Sequence, residues 1–488
     1  MQPDASKINR SKSERIELGR NSLAARDFAA RPMPKRPSEF SQLWHEVLKP
    51  WVWPILTIAL LIWAIFKQGA EAPFDTALFA ALSGALLMIA LLDRDNTKAL
   101  RRLVDWEWMA LGLVAVWLVM ALQFLPLPFL SGGGQIWAKA DMVTVDPDLT
   151  LRAMVGMGSA VAFFVFGAIF GADRSRREIV LLLLALAMLP ILFQAFDSYN
   201  TKVALFDYQA QKNGARMEGT FLNANTFAIL MVMFFACSIG VFVAEFRRYK
   251  GRERLVVKII ALLAAAATAF CIYLTMSRAA WLLSFAILFS LALLIRPASR
   301  GQISVFGALI LLVMLMIWNS AEQLGLPIRP LNFGAGVDGR LLDWRPGFDL
   351  TMMRPWMGWG AGTFARVMEP VRDVPIAASS IIIITPQNSL LLITSETGIV
   401  GLLAWTLLAI GLVRYSVNGL RIRSASVVLA AALILGAAAT FVQSLFDFPM
   451  SIPVISALWA FFLGYAGGLG GKTPPKISKR TRRSIKAS

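Results

Sequence analysis

Apolar residues in this chain come in long unbroken runs rather than in stripes or alternations. Twelve such runs fall at about 51–66, 76–92, 108–128, 153–171, 178–196, 222–244, 257–274, 279–296, 302–319, 390–413, 425–446 and 452–469. A helix rises 1.5 Å per residue and a hydrocarbon core is about 30 Å thick, so runs of this length predict membrane-crossing helices. The alternation that marks barrel strands is missing. The expected fold is an all-α polytopic membrane protein with about 12 transmembrane helices and one large loop between the ninth and tenth.

Composition strengthens that reading. Of 488 residues, 57% are apolar and 16% charged, where a water-soluble chain carries about 25% charged residues. A cytosolic enzyme, a disulfide-stapled secreted domain and a disordered scaffold are excluded. The net charge of +18 follows from topology. With the N-terminus in the cytoplasm, the five inner connections hold 18 Lys and Arg, whereas the longer outer connections hold 13. This is the positive-inside asymmetry. The basic tails therefore call for anionic membrane lipid, not nucleic acid.

The expected organisation is a basic cytoplasmic tail over 1–50, helices one to nine over 51–319, a large periplasmic loop over 320–388, helices ten to twelve over 389–470, and a basic cytoplasmic tail over 471–488. The first fifty residues lack a signal-peptide cleavage pattern, so the first span is expected to be retained. Cys237 and Cys271 fall within spans and read as apolar fillers. His45, the single histidine, reads as an interfacial anchor.

The loop over 320–388 is long enough to suggest function. It carries Arg329, Arg340, Arg345, Arg354, Arg366 and Arg372 but no lysine. A guanidinium grips phosphate or carboxylate through two parallel hydrogen bonds, and an ammonium does not. Acidic residues equal in number allow ordinary ion pairing as the plainer account of any one arginine. Arg216 precedes the sixth span in NGARMEGTFLNANTF, and Arg278 lies in the turn TMSRAAW between the seventh and eighth. With Arg340, Trp344 and Arg345 they could surround an anionic headgroup at the outer face, although arginines at helix ends also snorkel for structural reasons.

Glu396 lies about two turns into the tenth span and Asp447 at the outer end of the eleventh. Asn388, eight residues before Glu396, shares nearly the same helix face about 12 Å away. Ionisable groups at a membrane are functional candidates by default, with capping or arginine pairing as the alternative. Gly358, Gly360 and Gly362 in GWGAGTF follow no strand, so they read as a flexible turn and not a nucleotide loop. SGGGQ at 131–135 reads the same way.

Five segments occur in order: RMEGTFLNANTFA (216–228), MSRAAWL (276–282), GRLLDWRPGFDLTMMRPWMGWGAGTF (339–364), PQNSLLLITSETGIVGLLAW (386–405) and VQSLFDFPMSIP (442–453). Together they resemble the O-antigen ligase and polysaccharide polymerase superfamily of bacterial envelopes. The resemblance implies an inner-membrane enzyme, active at the periplasmic face, that moves oligosaccharide from undecaprenyl diphosphate to an acceptor sugar without nucleotide, metal or other cofactor. It makes Arg216, Arg278 and Arg340 the residues that hold the diphosphate. Gln387, Asn388 and Glu396 join them as catalytic positions, and Trp344, Arg345, Arg354, Asn225 and Asp447 as substrate-binding ones.

The chain departs from the family at Gln387 and Gln443, where members carry histidine. Glutamine orients a hydroxyl but takes no proton. A base would then be Glu396, Asp447 or Glu218, or stabilisation of the leaving diphosphate carries the reaction.

The leading expectation is a polymerase of exopolysaccharide or O-antigen repeat units, working with envelope polysaccharide assembly proteins. The nearest alternative is a ligase that delivers glycan to lipid A core, followed by an inactive relative. A lipid-linked-sugar flippase or transporter fits less well, because transport sites place ionisable groups or broken helices near the bilayer midplane and these span centres are almost free of charge.

Overall fold

The computed structural model describes residues 48–126, 142–201, 216–248, 254–295, 344–368, 385–421 and 426–471. The chain divides into Met1–Pro50, of which only 48–50 are described, and Trp51–Ser488, which carries the site. In chain order the helices are α1 (Lys49–Phe66), α2 (Pro73–Leu92), α3 (Arg94–Leu100), α4 (Glu107–Leu122), α5 (Pro147–Ala172), α6 (Arg174–Thr201), α7 (Ala224–Arg248), α8 (Leu255–Leu274) and α9 (Arg278–Ile295). There follow α10 over 344–353, α11 (Phe364–Met368), α12 (Ser389–Val417), α13 (Ser426–Gln443) and α14 (Pro453–Leu469).

Eight of these, α1, α2, α5 to α8, α12 and α13, are long and apolar enough to cross a membrane, and α4, α9 and α14 are shorter apolar helices. No strand occurs among the described residues. The chain is an all-helical, multi-pass membrane protein. These eleven helices fall on eleven of the twelve expected runs. The run 302–319, most of the loop 320–388, SGGGQ, His45 and the basic tails lie outside the described residues.

Polar residues cap α5 and α12, and α5 begins six residues before its apolar run. Asp146 accepts from the backbone N–H groups of Asp148 and Leu149, with Pro147 as the first helical residue of α5. That pairing satisfies otherwise orphaned donors and presets the first φ. Asn388 caps α12 in the same manner, accepting from Leu390 and Leu391.

Lipid tails are as apolar as leucine, so close backbone approach has to hold these helices together. The packing of α14 along α5 shows how. A Cβ on Gly167 or Gly171 of α5 would lie 2.2 Å from Phe461 O and 2.3 Å from Tyr465 O. On α14, one on Gly464 or Gly468 would lie 2.2 Å from Phe164 O and 2.4 Å from Ala168 O. Two glycine pairs at four-residue spacing thus press one backbone into the other. Gly112 of α4 and Gly411 of α12 do the same for that pair, each facing partner backbone at 2.4–2.5 Å.

A buried charge cluster ties α2, α3, α5 and α6 at one end. Arg176 is 2% exposed; it pairs with Asp93 at 3.6 Å and Asp173 at 3.4 Å and donates to Asn96. The opposite helix ends carry the candidate site.

Candidate functional site

Arg216 is fixed on two sides before α7 begins. Its Nε donates to Thr275 O at 2.8 Å, and one terminal nitrogen donates to Asn225 Oδ1 at 2.7 Å. The neighbouring Met217 N–H reaches Leu274 O at 3.0 Å. The segment before α7 is therefore laced to the turn joining α8 and α9. Arg278, three residues beyond Thr275, opens α9 from that same turn. Met276 holds φ 52° there, a left-handed conformation that is uncommon for a side chain of this size.

A third element joins from α13. Gln443, 3% exposed, donates through Nε2 to Asn225 O at 3.1 Å. The next residue, Ser444, accepts from Ser389 N at 2.8 Å, docking the start of α12. Just ahead of that start, Gln387 also has a left-handed φ of 48°, and the Asn388 side chain caps the helix. Trp344, at the start of α10, lies against Phe446 with ring centroids 6.3 Å apart. Two buried polar atoms in this region have no hydrogen-bond partner: Trp344 Nε1, a donor, and Gln443 Oε1, an acceptor.

The second half of the site is built on a break in α12. Gly398 has φ 67° and ψ −169° inside the helix. The break frees backbone groups that pair with the glycine segment: Trp359 N donates to Ser395 O, Gly360 N to Glu396 O and Ile399 N to Pro355 O, at 3.0, 2.9 and 2.7 Å. Gln123, at the end of α4, closes the arrangement. Its Nε2 donates to Met357 O and Glu396 O, both at 2.8 Å, and its Oε1 accepts from Ala361 N at 3.0 Å. Glu396 Oε1 accepts from Phe364 N at 3.3 Å, at the start of α11. GWGAGTF is thus a pinned turn in which Gly358 and Gly360 are buried, not the loose connection expected from its glycines.

The remaining candidates divide. Arg354, 3% exposed, lies 4.1 Å over the Trp359 ring and donates to Val143 O at 3.0 Å. Burial pushes its guanidinium down to about 10, so it is still cationic at neutral pH. Arg345 is exposed and 3.9 Å from Asp349. Asp447 is buried and accepts from Phe448 N at 2.8 Å. Arg340 lies outside the described residues. Arg216, Asn225, Gln443 and the Arg278 turn are brought together; Arg354 and Glu396 belong to the neighbouring pinned turn. Among the described residues, no group of three or more His, Cys, Asp or Glu is placed to hold a metal ion.

With these positions known, the match to a known family can be placed on the fold. Residues 263–406 match the family model described as O-antigen ligase. The chain is similar to the O-antigen ligase family over this stretch, 144 of its 488 residues. That segment runs from within α8 to the middle of α12 and contains Arg278, Arg340, Trp344, Arg345, Arg354, Gln387, Asn388 and Glu396. Arg216, Asn225, Gln443 and Asp447 lie outside it, yet Arg216 is bonded into the matched segment through Thr275. No curated protein matches the chain.

Sequence reasoning missed Gln123, the break at Gly398 and the left-handed turns at Met276 and Gln387. Only Gln123 left a trace, as a lone amide at the end of an apolar run.

Proposed function

We propose that the protein is a membrane glycosyltransferase that polymerises undecaprenyl-diphosphate-linked oligosaccharide units into exopolysaccharide or O-antigen. In this reading it has twelve spans in the bacterial inner membrane, with both termini cytoplasmic and the site periplasmic. The observation that carries it is the fixing of Arg216 between Asn225 and Thr275, in the turn that also presents Arg278. A leaving diphosphate gains negative charge as the glycosidic bond breaks. Guanidinium groups already held in place stabilise that charge without reorganising. Arg340 completes the clamp in this scheme.

The unpartnered Trp344 Nε1 and Gln443 Oε1 suit an incoming sugar, whose hydroxyls both accept and donate. With Gln387 and Gln443 unable to take a proton, leaving-group stabilisation is the main source of rate. Glu396, bonded to the backbone of Phe364, positions the pinned turn and does not act as the base.

The nearest second reading is a ligase that transfers finished glycan to lipid A core. It shares the donor and differs in the acceptor. A deletion strain separates the two. Single repeat units in place of long chains support the polymerase, long chains accumulating on the carrier lipid support the ligase, and an unchanged glycan profile removes both.

A further inference from the structure

α10 and the first half of α12 run side by side in the same direction. A Cβ on Gly347 would lie 3.3 Å from Leu391 Cβ, Thr351 Oγ1 is 3.1 Å from Thr394 Oγ1, and Pro355 O accepts from Ile399 N at 2.7 Å. Beyond Trp356 the chain turns back. Gly360 N reaches Glu396 O, Phe364 N reaches Glu396 Oε1, and Val367 and Met368 of α11 cluster with Leu350 against Leu392. Residues 344–368 are therefore a hairpin that descends along α12 to its break and returns.

The other end of α12 sets the depth of that hairpin. Arg414 lies 5.8 Å over the ring of Trp108, and Trp106 and Trp108 are exposed there. Tryptophan and arginine gather at the level of the lipid headgroups. Ile399 is fifteen residues from Arg414, about 22 Å of helix. A hydrocarbon core is about 30 Å thick, and tilting a helix only shortens its projection across it. The bottom of the hairpin thus lies about 8 Å short of the opposite headgroups.

The side chains agree with that depth. Pro346, Leu350 and Arg354, at helical spacing, are buried. Phe348, Met352, Met353 and Trp356 are exposed, Trp356 at 61%, and beside them Ile399, Val400 and Leu403 of α12 are exposed too. On this face charge stays at the shallow end, where Arg345 lies 3.9 Å from Asp349. The returning arm carries its charge paired, Arg366 with Asp146 at 2.9 Å. Irregular backbone below the membrane surface has to be satisfied by protein. Gln123 does this at the turn, donating to Met357 O and Glu396 O and accepting from Ala361 N.

We propose that residues 344–368 are a re-entrant hairpin inserted in the leaflet that holds the start of α12, and that acyl chains of the bilayer cover the face of Phe348, Met352 and Trp356. That face continues the exposed face of α12, a helix long and apolar enough to cross the membrane, so one solvent wets both. The proposal holds whatever the sugar reaction is.

The test is site-directed spin labelling of the full chain in proteoliposomes of phosphatidylethanolamine and phosphatidylglycerol. Cys237→Ala and Cys271→Ala remove the native thiols, and Arg345→Cys, Met352→Cys, Trp356→Cys and Leu403→Cys each place one label. Collision with oxygen, which concentrates in hydrocarbon, is compared with collision with a water-soluble nickel chelate. The logarithm of the oxygen-to-nickel ratio is expected to change sign between Arg345, where nickel dominates, and Met352 and Trp356, where oxygen dominates as it does at Leu403. Preferential collision with nickel at Met352 or Trp356 overturns the proposal. Protection from both reagents also overturns it, since protein, either this chain or a second copy, would then cover the face. Melting curves confirm that each variant is folded, and either of the two deep labels decides the matter should the other variant fail to fold.

Discussion

Gly358 and Gly398 each press on the backbone just before the other, Gly358 on Glu396 and Thr397 and Gly398 on Trp356 and Met357. A Cβ on Gly398 would lie 2.2 Å from Trp356 O, and one on Gly358 would lie 2.4 Å from the Glu396 carbonyl carbon. Both have φ 67°, where an L side chain is strained. Each glycine therefore serves twice, through its dihedral and through the missing side chain. Gly358→Ala and Gly398→Ala are each expected to cost about 2–4 kcal/mol from strain and overpacking. Thermal melts in detergent measure this, and two unchanged melts would show that the loop does not depend on the approach.

The Arg216 and Asn225 pair gives a charge test. Asn225 orients the guanidinium without neutralising it. Asn225→Asp would keep the shape but add a negative charge that repels an incoming diphosphate. Conversion of lipid-linked repeat units in membrane vesicles should fall about 10²–10³-fold in Arg216→Ala, the loss seen when one preorganised donor is removed. Asn225→Asp should fall further than Asn225→Ala. The reverse order would show that Asn225 matters for packing alone.

The sequence revealed the helices because uninterrupted apolar runs respond to the bilayer itself, and eleven of the twelve expected runs are helices here. It also singled out Arg216 and Arg278, since arginines on the side expected to face outward run against the charge bias. It could not reveal that Arg216 is tied to Thr275 across 59 residues, because a side chain that bonds a carbonyl leaves no pattern at the accepting residue. The broken α12 was hidden for another reason. A single glycine in an apolar run is ordinary, and only the loop that fills the break distinguishes Gly398 from Gly401. Glu396 stood out as a polar residue in a span, but its backbone partner sits at Phe364, a position that any residue type could occupy.

Helix α5 carries its own control for the packing argument. Gly167 faces the backbone of α14, whereas nothing lies within 4 Å of a Cβ on Gly158. Gly158→Ala should stabilise the protein by about 0.5–1 kcal/mol through helix propensity. Gly167→Ala should destabilise it, since the added methyl would have to push two helices apart. Equal responses to the two substitutions would mean that close approach of α5 and α14 contributes nothing to stability.

Glu396 separates a positioning role from a catalytic one. Its Oε1 accepts from Phe364 N at 3.3 Å while its carbonyl accepts from Gly360 N and Gln123 Nε2. Glutamine retains an oxygen for Phe364, so Glu396→Gln should keep most of the glycan-transfer activity and a near-normal melt. Alanine removes the acceptor, and Glu396→Ala should lose about 1–2 kcal/mol of stability together with activity. A base would give the opposite pattern: Glu396→Gln would melt normally yet lose activity by orders of magnitude, and an acidic limb would vanish from the pH profile. That result would move the proton transfer back to this carboxylate and leave the guanidinium clamp with only part of the catalysis.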